Sequence, residues 1–181
     1  MIEDDLFAVI DPVMRTCGAI PEEGEEYRSP PLDVLRYYRR PVRLHWIPGL
    51  GRALSVVAVT RQPVDVGLSS ADYHRFLVRL AMATNGRFPP WRGDRGLVIG
   101  LTTLVLTPEP IGPEDDQILA TAMKPLGRTR VVPFGLLRVN LGQEALAFAL
   151  ASGPDKLFTE PELLTDALTP KFRRFVPLFA D

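Results

Sequence analysis

Apolar positions crowd most tightly over residues 97–107, LVIGLTTLVLT. Ten of these eleven residues are apolar or β-branched, the other is Gly100, and no charge interrupts them. A run this short, with turn residues at both ends, predicts a strand buried on both faces, with the rest of the chain laid around it as cover.

Elsewhere the pattern is periodic. Tyr73, Phe76, Leu77, Leu80, Ala81 and Thr84 recur at helical spacing, with Asp72, Arg75 and Arg79 on the opposite side. Ser69 and Asp72 form an S-x-x-D capping box at the start of that helix, and Gly86 is placed to close it. Ile118, Leu119, Ala122, Met123 and Leu126 make a second apolar face behind Gly112 and Pro113, with Glu114, Asp115 and Asp116 in the first turn, where the dipole favours acids. Thr159 with Glu162 predicts a capped short helix over 160–168. Residues 32–40 also read as a helix, opened by Pro30 and Pro31, with Leu32 and Leu35 on one face and Pro41 as its stop. Phe172, Phe175, Val176 and Phe179 fall at helical spacing in the tail.

Period two marks the strands. Val42, Leu44 and Trp46 alternate with Arg43, His45 and Ile47, and a turn at 48–51 leads into LSVVAVT at 54–60, so 42–60 reads as a hairpin. Residues 131–141 are the next strand. Residues 145–150, ALAFAL, have helix-favouring composition, but Leu146, Phe148 and Leu150 alternate with alanines, and a strand is the preferred reading.

Residues 1–10 allow a short helix, and 11–30, with its PEEGEE run, reads as a long loop. The expected division is an acidic N-terminal arm or extended segment at 1–30 and a single α+β domain at 31–181. Residues 60–87 and 107–128 echo one another as T-x-x-P-[VI], helix, G-R. Strand–helix–strand twice over implies parallel neighbours joined by right-handed crossovers. The expected fold is therefore α+β: a mixed sheet of five or six strands, helices packed mainly on one face, and two βα units.

Composition bounds the class. A chain of 181 residues, 46% hydrophobic, suits one folded domain. Its longest uncharged apolar run is about half of what a membrane helix needs. The opening MIEDD is unlike a signal peptide, and a single cysteine, Cys17, excludes an internal disulfide framework and a multi-Cys zinc site. A cytoplasmic bacterial protein is expected. Arginine outnumbers lysine 18 to 3, which codon bias in a GC-rich genome explains as well as any binding role.

The net charge of −1 is unevenly spread. Residues 1–26 hold eight acids and one base, and residues 27–100 hold twelve bases and four acids. Such asymmetry bears on partners rather than on fold.

The candidate chemistry is sparse. His45 and His74 have no carboxylate at metal-ligand spacing, and there is no H-x-x-x-H or H-E-x-x-H. Cys17 has only Arg15 nearby to activate it. No G-x-S-x-G, Walker A or kinase signature is present, and Gly49-x-Gly51 precedes a strand rather than a helix. Asp115 and Asp116 point about 100° apart on a helix and suit its dipole better than a carboxylate pair.

Two stretches combine arginine with aromatics. Arg36, Tyr37, Tyr38, Arg39, Arg40 and Arg43 form the densest basic run: a phosphate-contacting patch, a solvated face, or a dock for the protein's own acidic arm. Phe88, Pro89, Pro90 and Trp91, flanked by Arg87, Arg92 and Arg95, have the composition of interface hot spots and of nucleic-acid stacking sites. The expected function is a non-catalytic interaction module or accessory subunit of a bacterial assembly, without cofactor or metal. A protein partner or second copy would be met at Arg36, Tyr37, Arg39, Arg40, Trp91 and Arg92. Nucleic-acid or anion binding through 36–43 and 87–95 is the alternative, against which the acidic pI near 6.1 speaks. An enzyme whose groups meet only in space, with His45, His74, Asp72 and Arg75 as first suspects, is the third reading.

Overall fold

A computed structural model describes residues 3–28, 31–43, 52–89, 98–127, 129–151 and 158–175. The elements run α1 (Glu3–Thr16), β1 (Ile20–Arg28), β2 (Pro31–Arg43), β3 (Arg52–Arg61), α2 (Ser70–Arg87), β4 (Val98–Leu106), α3 (Asp115–Ala122), β5 (Val131–Asn140), β6 (Ala145–Leu150), α4 (Glu160–Leu168) and β7 (Arg173–Arg174). The strands form one mixed sheet in sequence order, β1 to β7. β4 sits fourth of seven and is covered on both faces, as its unbroken apolar run predicts.

β1, β2 and β3 are antiparallel neighbours. β3, β4 and β5 run parallel, joined through α2 and α3. β5 and β6 form an antiparallel hairpin, and β6 runs parallel to β7 through α4. The hairpin reverses the chain, so a right-handed crossover after it lays its helix on the other face. α2 and α3 accordingly cover one face, and α4 joins α1 on the opposite one. The expected one-sided arrangement of five or six strands is thus corrected to seven described strands with two helices on each face.

β3 shows why two layers of cover are needed. Val56 and Ala58 face Tyr73, Phe76, Leu77 and Leu80 of α2, while Val57 and Val59 face Leu6, Ile10 and Met14 of α1. In β6 the alanines at 145, 147 and 149 pack toward α2 and α3, and Leu146 and Phe148 face the α1/α4 side. Small residues on one face let α3 lie close to the strand.

Three local expectations also change. Residues 32–40 are strand, not helix: β2 carries a bulge between Val34 and Arg36, which moves the alternation by one residue. Val34 and Tyr37 then share the α2 face, and Leu35 and Tyr38 share the α1 face, giving the i, i+3 spacing that imitates a helix. Residues 11–28, expected as a loop, complete α1 and form edge strand β1. Gly24 in β1 lies against the bulge, where a Cβ would sit 1.7 Å from the Val34 carbonyl oxygen, so no other residue fits there. α2 runs past Gly86 and is closed by the Phe88 N–H donating to the Thr84 carbonyl.

The capping box is present on α2, where Ser69 Oγ accepts from the Asp72 N–H at 3.1 Å. Thr159 makes no such bond on α4.

Candidate functional site

The loop between β3 and α2 stands at the carboxyl end of the parallel strands, and hydrogen bonds fix it there. The Gln62 N–H donates to the Leu106 carbonyl at 2.7 Å, and its side-chain amide donates to the Val66 carbonyl at 2.7 Å and to Glu109 at 3.1 Å. The Tyr73 hydroxyl donates to Gln62 Oε1 at 3.0 Å. Burial pushes the Tyr73 hydroxyl well above the usual phenol range, so it stays a donor. The Val66 N–H closes a turn on the Pro63 carbonyl at 3.0 Å. That turn leaves Val64 fully exposed, and Leu68 is 46% exposed.

Beside this loop lies a depression of about 350 Å³, lined by Asp65, Val66, Asp72, His74, Arg75, Val78 and Arg79. Its rim is ionic. Arg79 bridges to Asp65 at 2.6 Å, and Arg75 pairs with Asp72. Arg79 holds the Asp65 carboxyl below the usual range. The Ser69 hydroxyl, donating at 2.6 Å, and then Arg75 lower that of Asp72. His74 Nδ1 lies 3.0 Å from the carbonyl oxygen of Ala122, the last residue of α3. A carbonyl can only accept, so Nδ1 carries the proton.

The structure therefore brings His74, Asp72 and Arg75 to one concavity. His45 lies outside the described residues. Among the described residues no group of three His, Cys, Asp or Glu side chains is placed to hold a metal ion. No helix among them is long and apolar enough to cross a membrane.

The arginine stretch has a different neighbourhood. Arg36 binds both carboxylate oxygens of Asp11 at 2.9 and 3.0 Å and stacks 4.1 Å over the Phe7 ring. Tyr38 donates to the same carboxylate at 2.5 Å. Arg39 pairs with Glu22, and Arg40 Nε meets the buried Glu160 at 2.5 Å. Tyr37 is fully buried, edge-on to Phe88 with ring centres 5.6 Å apart. Of the three readings of this run, the dock for the protein's own acids describes these contacts: Asp11 and Glu22 come from the acidic first 26 residues. Trp91, Arg92 and Arg95 lie outside the described residues, as does the side chain of Arg43.

One polar centre has no counterpart in the sequence reading. Arg138, in β5, is wholly buried. It pairs with Asp115 of α3 and lies 3.3 Å from Thr107 Oγ1 and 3.4 Å from Glu109. Glu109 also receives the Gln62 amide, so the centre braces the exposed loop from beneath. The signal for it is the lone charge in GLLRV, an otherwise apolar strand. Asp116, beside Asp115, has its own partners: the Phe148 N–H at 2.8 Å and Arg174 at 2.8 Å.

The chain matches no family model, no curated protein and no solved structure.

Proposed function

We propose that the protein is a non-catalytic protein-binding module, an accessory subunit whose partner seats an apolar side chain in the depression between the β3–α2 loop and α2. One observation carries the reading: Val64 and Leu68 stand exposed beside a concavity with valines in its wall and ion pairs on its rim. An apolar centre inside a charged rim is the anatomy of protein interfaces. The hydrogen bonds from Gln62 and Tyr73 hold the loop in place before any partner arrives, which lowers the ordering cost of binding.

The anion-binding reading is less well supported, because Arg36, Arg39 and Arg40 each already face a carboxylate of the same chain. It predicts binding that weakens steeply with salt. The enzymatic reading rests on His74, Asp72 and Arg75 at the concavity; it predicts that His74→Gln abolishes an activity while leaving assembly intact.

The test is a double substitution, Val64→Asp with Leu68→Asp, in the full chain. Both side chains are exposed, so folding should be unchanged. Association with a stoichiometric partner from the native source should weaken by more than about tenfold. A photo-crosslinker at position 64 should capture that partner, and one at Ala8, on the exposed side of α1, should not. A complex indifferent to the double substitution refutes the reading.

A further inference from the structure

We infer a second docking surface, separate from the loop: the outer edge of β1, which takes an extended, lysine- or arginine-bearing segment of a partner protein as an eighth strand. β1 is nine residues long and pairs with β2 alone among the described residues. Alternate N–H and C=O groups along its outer side therefore have no strand to bond, the condition under which an edge accepts another chain.

The side chains decide which chain. Cross-strand partners share a face. Glu22 and Glu25 lie opposite Tyr37 and Val34, on the α2 side, and Arg39 and Arg87 meet them there. Glu23 and Glu26 lie opposite Arg36 and Asp33, on the α1 side. Arg36 is bound to Asp11, and Asp33 is held by Arg61 at 2.6 Å. Among the described residues neither Glu23 nor Glu26 has an ionic partner. Among the described residues the edge thus offers unpaired backbone groups, Pro21 having no N–H to give, and unmatched negative charge on one face only.

A second copy is the wrong occupant. Pairing β1 with another β1 sets glutamates against glutamates, and like charges directly opposite destabilise a strand pair. A strand with basic side chains on the α1 face supplies the missing charges. Selectivity then comes from repulsion of acidic and self-like edges as much as from attraction.

The test uses the full chain and three synthetic probes: a short peptide alternating threonine and lysine, the same peptide with its backbone N-methylated, and a version with glutamate for lysine. The lysine peptide should slow amide exchange over residues 20–28. The N-methylated peptide, equal in charge but unable to form a ladder, should not. Glu23→Lys with Glu26→Lys should weaken the lysine peptide by roughly tenfold and admit the glutamate peptide. Equal binding of the N-methylated peptide would reduce the effect to general electrostatics and overturn the proposal. So would protection that appears elsewhere than β1, an absence of binding, or indifference to the charge reversal. None of these outcomes depends on Val64 or Leu68, so the two surfaces stand or fall separately.

Discussion

The ring of Phe158 lies across Gly100 so closely that a Cβ at position 100 would sit 2.4 Å from its Cε1. Phe158 is itself held against Phe134, ring centres 4.2 Å apart. Gly100→Ala therefore overpacks the middle of the sheet and should cost about 2 kcal/mol in urea unfolding. On a Phe158→Ala background the same change should cost much less, because the obstructing ring is gone. Strictly additive costs would show that the ring is not what excludes a side chain at position 100.

Arg138 and Asp115 are both buried, at 0% and 6% exposure, so each depends on the other. Arg138→Met strands a carboxylate inside the protein and should cost roughly 3–5 kcal/mol. Adding Asp115→Leu should recover most of that loss, since paired removal leaves no uncompensated charge. The Gly112 N–H, which donates to Asp115 at 2.5 Å, would lose its acceptor and keep the recovery incomplete. A double variant no better than Arg138→Met would show that the two charges do not depend on one another.

All four tyrosines, 27, 37, 38 and 73, have hydroxyls raised above the usual phenol range, and burial is the first cause in each case. A raised phenol favours the neutral form in the fold, so its stabilisation is complete below the unfolded value near 10 and is lost as pH climbs past it. Tyrosinate absorbance should therefore appear together with cooperative unfolding. A smooth titration near pH 10 with the circular dichroism unchanged would show exposed phenols.

Three carboxyls shift the other way. Arg61 lowers Glu3, Arg79 lowers Asp65, and Ser69 with Arg75 lowers Asp72. A lowered carboxyl stabilises the fold above its unfolded value, about 4, and that gain is lost as pH falls further. These pairs are exposed, so each effect is small. The urea midpoint should decline between pH 5 and pH 3, and Arg61→Gln should make the decline shallower. An unchanged slope would show that the Arg61–Glu3 pair contributes nothing to acid sensitivity.

Where burial follows a simple period, the sequence was a sufficient guide. β4, the apolar face of α2 and the alternation in β6 were all legible because side chains at fixed spacing go to the same side. β2 was not, since the bulge at Leu35 places buried residues three apart within a strand. β1 was not, because four glutamates, a proline and a glycine mark an edge strand as readily as a loop. The depression was partly legible: the Ser69–Asp72 cap placed Asp72 and His74 on the right helix. The approach of Ala122, nearly fifty residues on, comes from the crossover of α3. Arg138 was not singled out: the lone charge in GLLRV marks the position by residue type alone, and its pairing with Asp115 is a matter of packing between helix and sheet.

The corner at 141–144 has an outsized role. Asn140 caps it by accepting from the Gln143 N–H at 2.7 Å and donating to the Glu109 carbonyl at 2.8 Å; Glu144, with φ of 52°, completes the reversal and accepts from the Arg173 N–H at 2.6 Å. Whether the protein has a dry underside is settled at this bend. Had the chain gone on as another parallel crossover, the last helix would have landed beside its predecessors, and α1 would have been left to shelter that half of the sheet unaided. A few polar side chains at one corner thus govern how much of a distant oily surface meets water.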